Sequence, residues 1–96
     1  MKKLFAITAS LFTSAAPVLA GPYTATVYHP EFHGGPNYCD GSTYQHWGVS
    51  AASSWLPCGA RVRVQHRGRV LTVKIKDRCQ FCDIDLSAGA AYRLGI

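Results

Sequence analysis

Hydrophobic and polar positions alternate along two neighbouring segments in the second half of the chain. Small apolar residues alternate with charged or polar ones over residues 60–65, and apolar residues return at every second position over 70–76. Residues 66–69 lie between these segments and contain a glycine, which is typical of a turn. The pattern predicts a β-hairpin with one core face and one basic, solvated face. Continuing the period places Asp77 on the apolar face, where a core residue is expected.

The remaining elements are short. Residues 30–48 are rich in glycine and proline, which predicts a long ordered loop. Ser87 is suited to be the N-cap of a short C-terminal helix, and Gly95 lies at its C′ position. The predicted fold class is mainly β, with many short strands and one small helix. Besides the hairpin, the predicted elements are strands at 23–28, 49–52 and 83–86 and a helix at 88–94.

The first twenty residues have the features of a secretory signal peptide. Lys2 and Lys3 precede an apolar run, and small residues lead to Ala20. We therefore expect residues 1–20 to be a signal peptide and residues 21–96 to form the exported domain. The apolar run is shorter than the roughly 20 residues of a membrane span, so we expect no transmembrane segment after cleavage. Because Gly21 follows the expected cleavage site, we expect a secreted or periplasmic protein without a lipid anchor.

Composition narrows the functional classes further. An apolar content of 48% and a charged content of 16% over 96 residues indicate one small soluble domain. The formal net charge is +5, and two of those charges are leader lysines, so the exported domain is only mildly basic and no nucleic-acid partner is expected. The four histidines lack the spacing of metal ligands. We expect neither a metal nor a cofactor.

The chain contains four cysteines, which in an exported domain of this size indicate two disulfides. Three pairings are open on sequence alone. We favour Cys39–Cys58, which closes the long irregular loop, together with Cys79–Cys82 as a short local link. Two alternatives are weighed against this pairing. A redox CxxC site normally lies at a helix N-terminus, and a zinc site normally needs two close ligand pairs.

Several segments together resemble the rare lipoprotein A (RlpA-like) domain, which is a six-stranded double-psi β-barrel shared with expansins and barwin-like proteins. The barwin-type resemblance also supports the Cys39–Cys58 pairing. The resemblance implies one further barrel strand after the helix, and this chain has no such segment. The barrel is therefore expected to lack its last strand. The segments that carry the resemblance are YHPEFHG (28–34), Asp40-Gly41, Tyr44, LPCGARVRV (56–64), VKIKDR (73–78) and IDLS (84–87).

The same resemblance implies that the partner is cell-wall polysaccharide, in particular peptidoglycan. Members of the family include lytic transglycosylases, which cleave a glycosidic bond without water and leave an anhydro-sugar end. The family motif implies Asp77 as the catalytic carboxyl group, and an acid of this kind needs a raised pKa. It also implies four substrate-binding positions, although Ser53 stands where the family has its catalytic histidine. These positions are His33, Tyr44, Ser53 and Arg78.

Three functional classes remain open on the sequence. The first is an exported, wall-associated RlpA-like protein with lytic transglycosylase activity through Asp77. The second is a non-catalytic glycan-binding module of the expansin type, which uses aromatic residues and the basic hairpin face. The third is a secreted barwin-like inhibitor or defence protein whose partner is another protein.

Overall fold

Within the described residues, six strands form a closed barrel, and one short α-helix follows the last strand. In this computed structural model the backbone is described for residues 5–12 and 17–96, and side chains are described from residue 23 onward. The elements are β1 (Phe5–Phe12), β2 (Pro17–Val27), a 3-10 turn (Pro30–Phe32), β3 (Ala51–Ser53), β4 (Arg61–His66), β5 (Arg69–Arg78), β6 (Ile84–Leu86) and α1 (Ala88–Arg93).

The strand order around the barrel differs from the order along the chain. It runs β1-β2-β6-β3-β5-β4 and closes between β4 and β1. Strand β2 pairs in parallel with β6, and β3 pairs in parallel with β5, while the other neighbours are antiparallel. These crossovers bring the ends of β2, β3, β5 and β6 together, and that part of the barrel holds the candidate site. The mainly β fold with one short C-terminal helix is confirmed.

The predicted hairpin is present as β4 and β5. Their register runs from Arg61↔Lys74 to His66↔Arg69, and burial alternates along β4 as the sequence pattern requires. Strand β5 is longer than predicted, because it continues through Arg78 by parallel pairing with β3. Asp77 therefore lies inside a strand rather than after one.

Strand β1 lies within the segment that the sequence predicts to be a signal peptide. It pairs with β2 from Phe5↔Ala25 to Phe12↔Pro17, and its other edge pairs with β4. The barrel was expected to lack a strand, but in the described chain β1 occupies the position between β2 and β4 and leaves no open edge there. Residues 1–4 and 13–16 of the predicted leader lie outside the described residues, and removal of the leader stays a prediction.

The buried side chains form two clusters. The larger one fills the barrel with aliphatic residues from every strand after β1 and from α1, including Val62, Val73 and Ile84. The smaller one consists of Tyr28, Tyr44 and Ala52, with the Cys79 side chain packed against it. Because Ala52 pairs with Asp77 in the sheet, the smaller cluster lies directly beside that carboxylate.

The helix is joined to the long loop through the predicted N-cap. The Ser87 hydroxyl accepts a hydrogen bond from the Ala90 amide, as a cap should, and it donates to the Gly48 carbonyl at 2.7 Å. A Cβ atom on Gly89 would overlap the carbonyl oxygens of Trp47 and Gly48, so glycine is required for this close approach. In the described part of the chain, no helix is long and apolar enough to cross a membrane.

Candidate active site

Asp77 stands near the end of β5, half-buried, where the parallel strand β3 runs beside it. A register shift in β3 sets Ala52 opposite Asp77, and Ala52 also pairs with Asp85 of β6 on its other side. The two carboxylates are therefore in one row across the sheet. Asp85 is buried and accepts a hydrogen bond from the Thr26 hydroxyl at 2.6 Å, whereas Asp77 is open to solvent on one side.

Three donors hold the Asp77 carboxylate. Its Oδ1 atom accepts the backbone N–H groups of Tyr38 and Arg78, both at 2.9 Å. Its Oδ2 atom accepts the Tyr28 hydroxyl at 2.8 Å. Hydrogen bonds of this kind fix the orientation of a carboxylate. The sequence led us to expect an acid among apolar side chains, and the structure shows instead a carboxylate within a set of polar donors.

A stack of aromatic rings continues from Tyr28 into the long loop. The Tyr28 ring lies on the Tyr44 ring, with a centroid distance of 4.5 Å and an interplanar angle of 24°. The Tyr44 hydroxyl is 3.0 Å from His46 Nδ1, and the His46 amide donates to His33 Nδ1 at 3.1 Å. Asp77 is thus linked to two of the predicted substrate-binding residues. Tyr44 is reached through Tyr28, and His33 is reached two contacts further on, through His46.

Burial is the main cause of the shifted pKa values in this stack. Burial raises the pKa of the Tyr28 hydroxyl, and the hydrogen bond to Asp77 and the charges of Asp77 and Asp85 act in the same direction. Burial also raises the pKa of Tyr44 to about 12, against a backbone hydrogen bond from Ala88 that lowers it. Burial lowers the pKa of His46, and nearby histidines lower it further. Both tyrosines therefore keep their protons at neutral pH.

The disulfides form in the favoured pairing and enclose the site. Cys39 is bonded to Cys58, Cys79 is bonded to Cys82, and no cysteine of the described chain is free. The Cys39 amide donates to the Lys76 carbonyl at 2.9 Å, which fixes the loop against β5 one residue before Asp77. The first disulfide therefore fixes the loop beside the Tyr38 amide that binds the carboxylate.

The other two predicted substrate-binding residues, Ser53 and Arg78, make hydrogen bonds that connect neighbouring segments of the barrel. Ser53 is completely buried, and its hydroxyl donates to the Asp83 carbonyl and accepts the Leu56 amide. The Arg78 guanidinium donates to the Ser53 carbonyl at 2.8 Å and lies 3.3 Å from Cys58 Sγ. Ser53 thus has no exposed surface for a substrate, and Arg78 links β5 to β3 beside the first disulfide.

Exposed aromatic side chains surround the buried stack. Phe32 is about half exposed and meets the edge of Tyr28, while Trp47 is 72% exposed and meets the edge of His46. Tyr38, whose amide binds Asp77, has a side chain that is 74% exposed. The structure buries Tyr28 and Tyr44, exposes Phe32, Trp47 and Trp55, and leaves Tyr23 partly buried against the larger cluster.

Sequence reasoning missed the role of Tyr28. Its position at the end of the predicted strand 23–28 is visible in the sequence, but its partner Asp77 is 49 residues away. The contact with the Tyr38 amide is equally remote, since a backbone donor has no sequence signature. Among the described residues, no cluster of three histidine, cysteine or acidic side chains is arranged to hold a metal ion.

Comparisons of this chain with known proteins point to the same family. A family model described as lytic transglycolase matches residues 23–96. An uncharacterized protein of Synechocystis is 42% identical over 73 residues, covering 74% of this chain and 79% of the relative. A probable endolytic peptidoglycan transglycosylase RlpA of Synechocystis is 40% identical over 77 residues, and the RlpA of Pseudomonas aeruginosa is 39% identical.

The two transglycosylases are much longer than the matched region. This chain covers 24% of the Synechocystis RlpA and 22% of the Pseudomonas RlpA, in each case with 75% of its own residues. The family model covers nearly all of the chain after the predicted leader, and the barrel agrees with the fold that the sequence resemblance implies. The chain belongs to the RlpA-like double-psi β-barrel family.

Proposed function

We propose that this protein is an exported lytic transglycosylase domain that cleaves peptidoglycan glycan strands through Asp77. The observation that carries the proposal is the Asp77 carboxylate itself, fixed by three donors beside exposed aromatic side chains in a chain of this family. The names of its RlpA relatives support peptidoglycan as the substrate. Sugar rings stack on aromatic faces, so the exposed rings of Phe32 and Trp47 are suited to bind a glycan.

The reaction needs one carboxyl group that acts twice. Protonated Asp77 donates its proton to the glycosidic oxygen while the bond from that oxygen to the anomeric carbon breaks. The resulting carboxylate accepts the proton of a hydroxyl on the same sugar, whose oxygen bonds to the anomeric carbon. The products are an anhydro-sugar end and a free hydroxyl on the leaving sugar. Asp77 is protonated again at the end, and water is not consumed.

The test is product analysis with the purified protein and isolated peptidoglycan. Anhydro-sugar ends detected by mass spectrometry are the expected result. We expect Asp77→Asn to stay folded and to lose product formation by about 10²–10⁴-fold, because the amide supplies no proton. Asp40→Asn is a matched control, since Asp40 is an exposed carboxylate of the neighbouring loop that accepts hydrogen bonds from Ser42. Equal product formation by Asp77→Asn and the unmodified protein would exclude Asp77 from the reaction.

A second candidate function is glycan binding without cleavage. The observation that favours it is at Ser53, which stands where the family resemblance implies a histidine and is completely buried. The exposed aromatic residues serve a binding module equally well. Retention of the protein on peptidoglycan without anhydro-sugar products selects this function, and loss of retention in Trp47→Ala locates the binding surface.

Export is part of the proposal. Cleavage after residue 20 would remove β1 and the first four residues of β2, so cleavage would change the strands available to the barrel. N-terminal sequencing of protein recovered from outside the cytoplasm is expected to begin at Gly21. A sequence that begins at Met1 shows instead that the leader is retained.

A further inference from the structure

The acceptor positions of the Asp77 carboxylate are nearly all occupied. An ionised carboxylate has about four lone-pair positions, two on each oxygen. Both positions on Oδ1 are filled by the Tyr38 and Arg78 amides, and one position on Oδ2 is filled by the Tyr28 hydroxyl. Among the described residues, no donor takes the second position on Oδ2. Because amide N–H groups only donate, the proton that Asp77 exchanges with a substrate has to use Oδ2.

We propose that Tyr28 is the positioning residue of this reaction, because its hydroxyl fixes Oδ2 and leaves a single open position for the proton. The inference rests on the proposed function, which names Asp77 but gives Tyr28 no role. Tyr28 acts through Asp77 and does not touch the substrate, since its side chain is buried beneath the exposed rings.

The surroundings of Tyr28 suit it to this role. Its ring is held between the Tyr44 face and the Phe32 edge, so the hydroxyl has little freedom to turn away. Ionisation of the hydroxyl would place a negative charge near both Asp77 and Asp85, and for this reason the O–H donor persists. When Asp77 is protonated on Oδ2, this atom still has a lone pair for Tyr28, but the oxygen of an O–H group is a weaker acceptor than a carboxylate oxygen. The Tyr28 hydrogen bond therefore strengthens as Asp77 gives up its proton, and it holds Oδ2 in place when the carboxylate takes a proton back.

Tyr28→Phe tests the inference, because it removes the hydroxyl and keeps the stacked ring. We expect kcat on soluble peptidoglycan fragments to fall by about 10- to 100-fold, the effect expected from losing one hydrogen bond to a charged group. KM should stay unchanged, since no contact with the substrate is removed. Tyr23→Phe is the matched control, because Tyr23 is a partly buried tyrosine of β2 whose ring packs against Trp55 and not against the Asp77 site. Unchanged kcat in Tyr28→Phe, or an equal loss in Tyr23→Phe, overturns the proposal.

A second measurement does not depend on turnover. Free energies of unfolding are compared for Tyr28→Phe, Asp77→Ala and the double variant, because alanine removes both carboxylate oxygens whereas asparagine could still pair with the Tyr28 hydroxyl. We expect the effects to be non-additive because the two groups share a hydrogen bond. Additive effects show that the contact is not made and overturn the proposal. If the unmodified protein gives no anhydro-sugar products, the proposed function is wrong, and the role of Tyr28 in the reaction is wrong with it. The comparison of unfolding free energies still tests the hydrogen bond between Tyr28 and Asp77.

Discussion

The β4–β5 hairpin and the long loop over residues 28–50 hold their shapes in different ways. The hairpin is a continuous ladder of six opposed residue pairs with its apolar face in the barrel core. The loop contains a single isolated bridge, Pro36↔Thr43, and is otherwise held by separate hydrogen bonds such as the Asn37 amide to the Ser42 carbonyl. One region is a repeated pattern, and the other is a set of individual contacts.

The difference explains where the candidate site lies. Asp77 belongs to the hairpin strand, whereas Tyr28, Tyr38 and Tyr44 belong to the loop or its first residue. A rigid strand fixes the carboxylate, and the loop brings the donors and aromatic rings to it. The site therefore depends on the loop being held against β5, which the Cys39–Cys58 disulfide accomplishes. Breaking that attachment should affect the two regions unequally.

The largest expected effect comes from removing this disulfide. In the chain-entropy account, replacing Cys39 and Cys58 by serine lowers the free energy of unfolding by about 3 kcal/mol. We expect amide exchange to become fast in the loop while the amides of β4 and β5 stay protected. Chemical denaturation and hydrogen exchange measure the two effects.

The Cys79–Cys82 disulfide is the matched control. It closes a much shorter segment, so replacing both cysteines by serine should cost about 2 kcal/mol by the same account. Its removal should leave the loop over 28–50 protected. Equal loss of protection in loop and hairpin after removing Cys39–Cys58 would show that the two regions unfold as one unit, and the comparison would fail.

The hairpin was predictable from sequence for the same reason that it is robust. Its buried residues, for example Val62 and Ile75, are apolar residues at every second position. Because several residues show this alternation, one residue that departs from it does not change the prediction. The helix was predictable from its cap, because Ser87 and Gly95 carry local signals at its two ends. The continuation of β5 through Arg78 could not be predicted from the local sequence, since it depends on pairing with β3, which is distant in the chain.

The site was predictable only in part. A family motif identified Asp77, and the spacing of the cysteines favoured the observed pairing. The donors to Asp77 come from Tyr28 and Tyr38, which lie far away in sequence and follow no periodicity. Motif alignment placed Ser53 at the substrate, and the structure places it in the interior, because its hydroxyl organises the turn after β3. Alignment gives a position in the chain but not the direction of a side chain.

A smaller effect is expected from pH, and it again separates loop from hairpin. Burial, with His33 and His29 nearby, lowers the pKa of His46 below its usual 6.5. His46 therefore binds a proton more readily in the unfolded chain than in the folded one. Its contribution to the free energy of unfolding is fully present above pH 6.5 and is lost as pH falls through the folded pKa. Thermal unfolding measured downward from neutral pH should show this loss.

His46→Asn should flatten this pH dependence, because asparagine is neutral throughout the range and still offers an acceptor to the Tyr44 hydroxyl. His66→Asn, at the end of β4, is the hairpin control and should leave the dependence in place. If the slope is the same in His46→Asn as in the unmodified protein, the loss at low pH originates elsewhere.

The smallest effect tests the solvated face of the hairpin. Arg61 and Lys74 are opposite each other in the register, and like charges in that position destabilise an antiparallel pair. Arg61→Glu converts the pair to opposite charges, and we expect it to raise the free energy of unfolding by about 0.5 kcal/mol at low salt. Arg63→Glu is the control on the same strand and face, because its opposite residue is the neutral Thr72. The gain should disappear at high salt, since exposed charges are screened. Equal effects of Arg61→Glu and Arg63→Glu would show that overall charge, and not the cross-strand pair, sets the stability of this face.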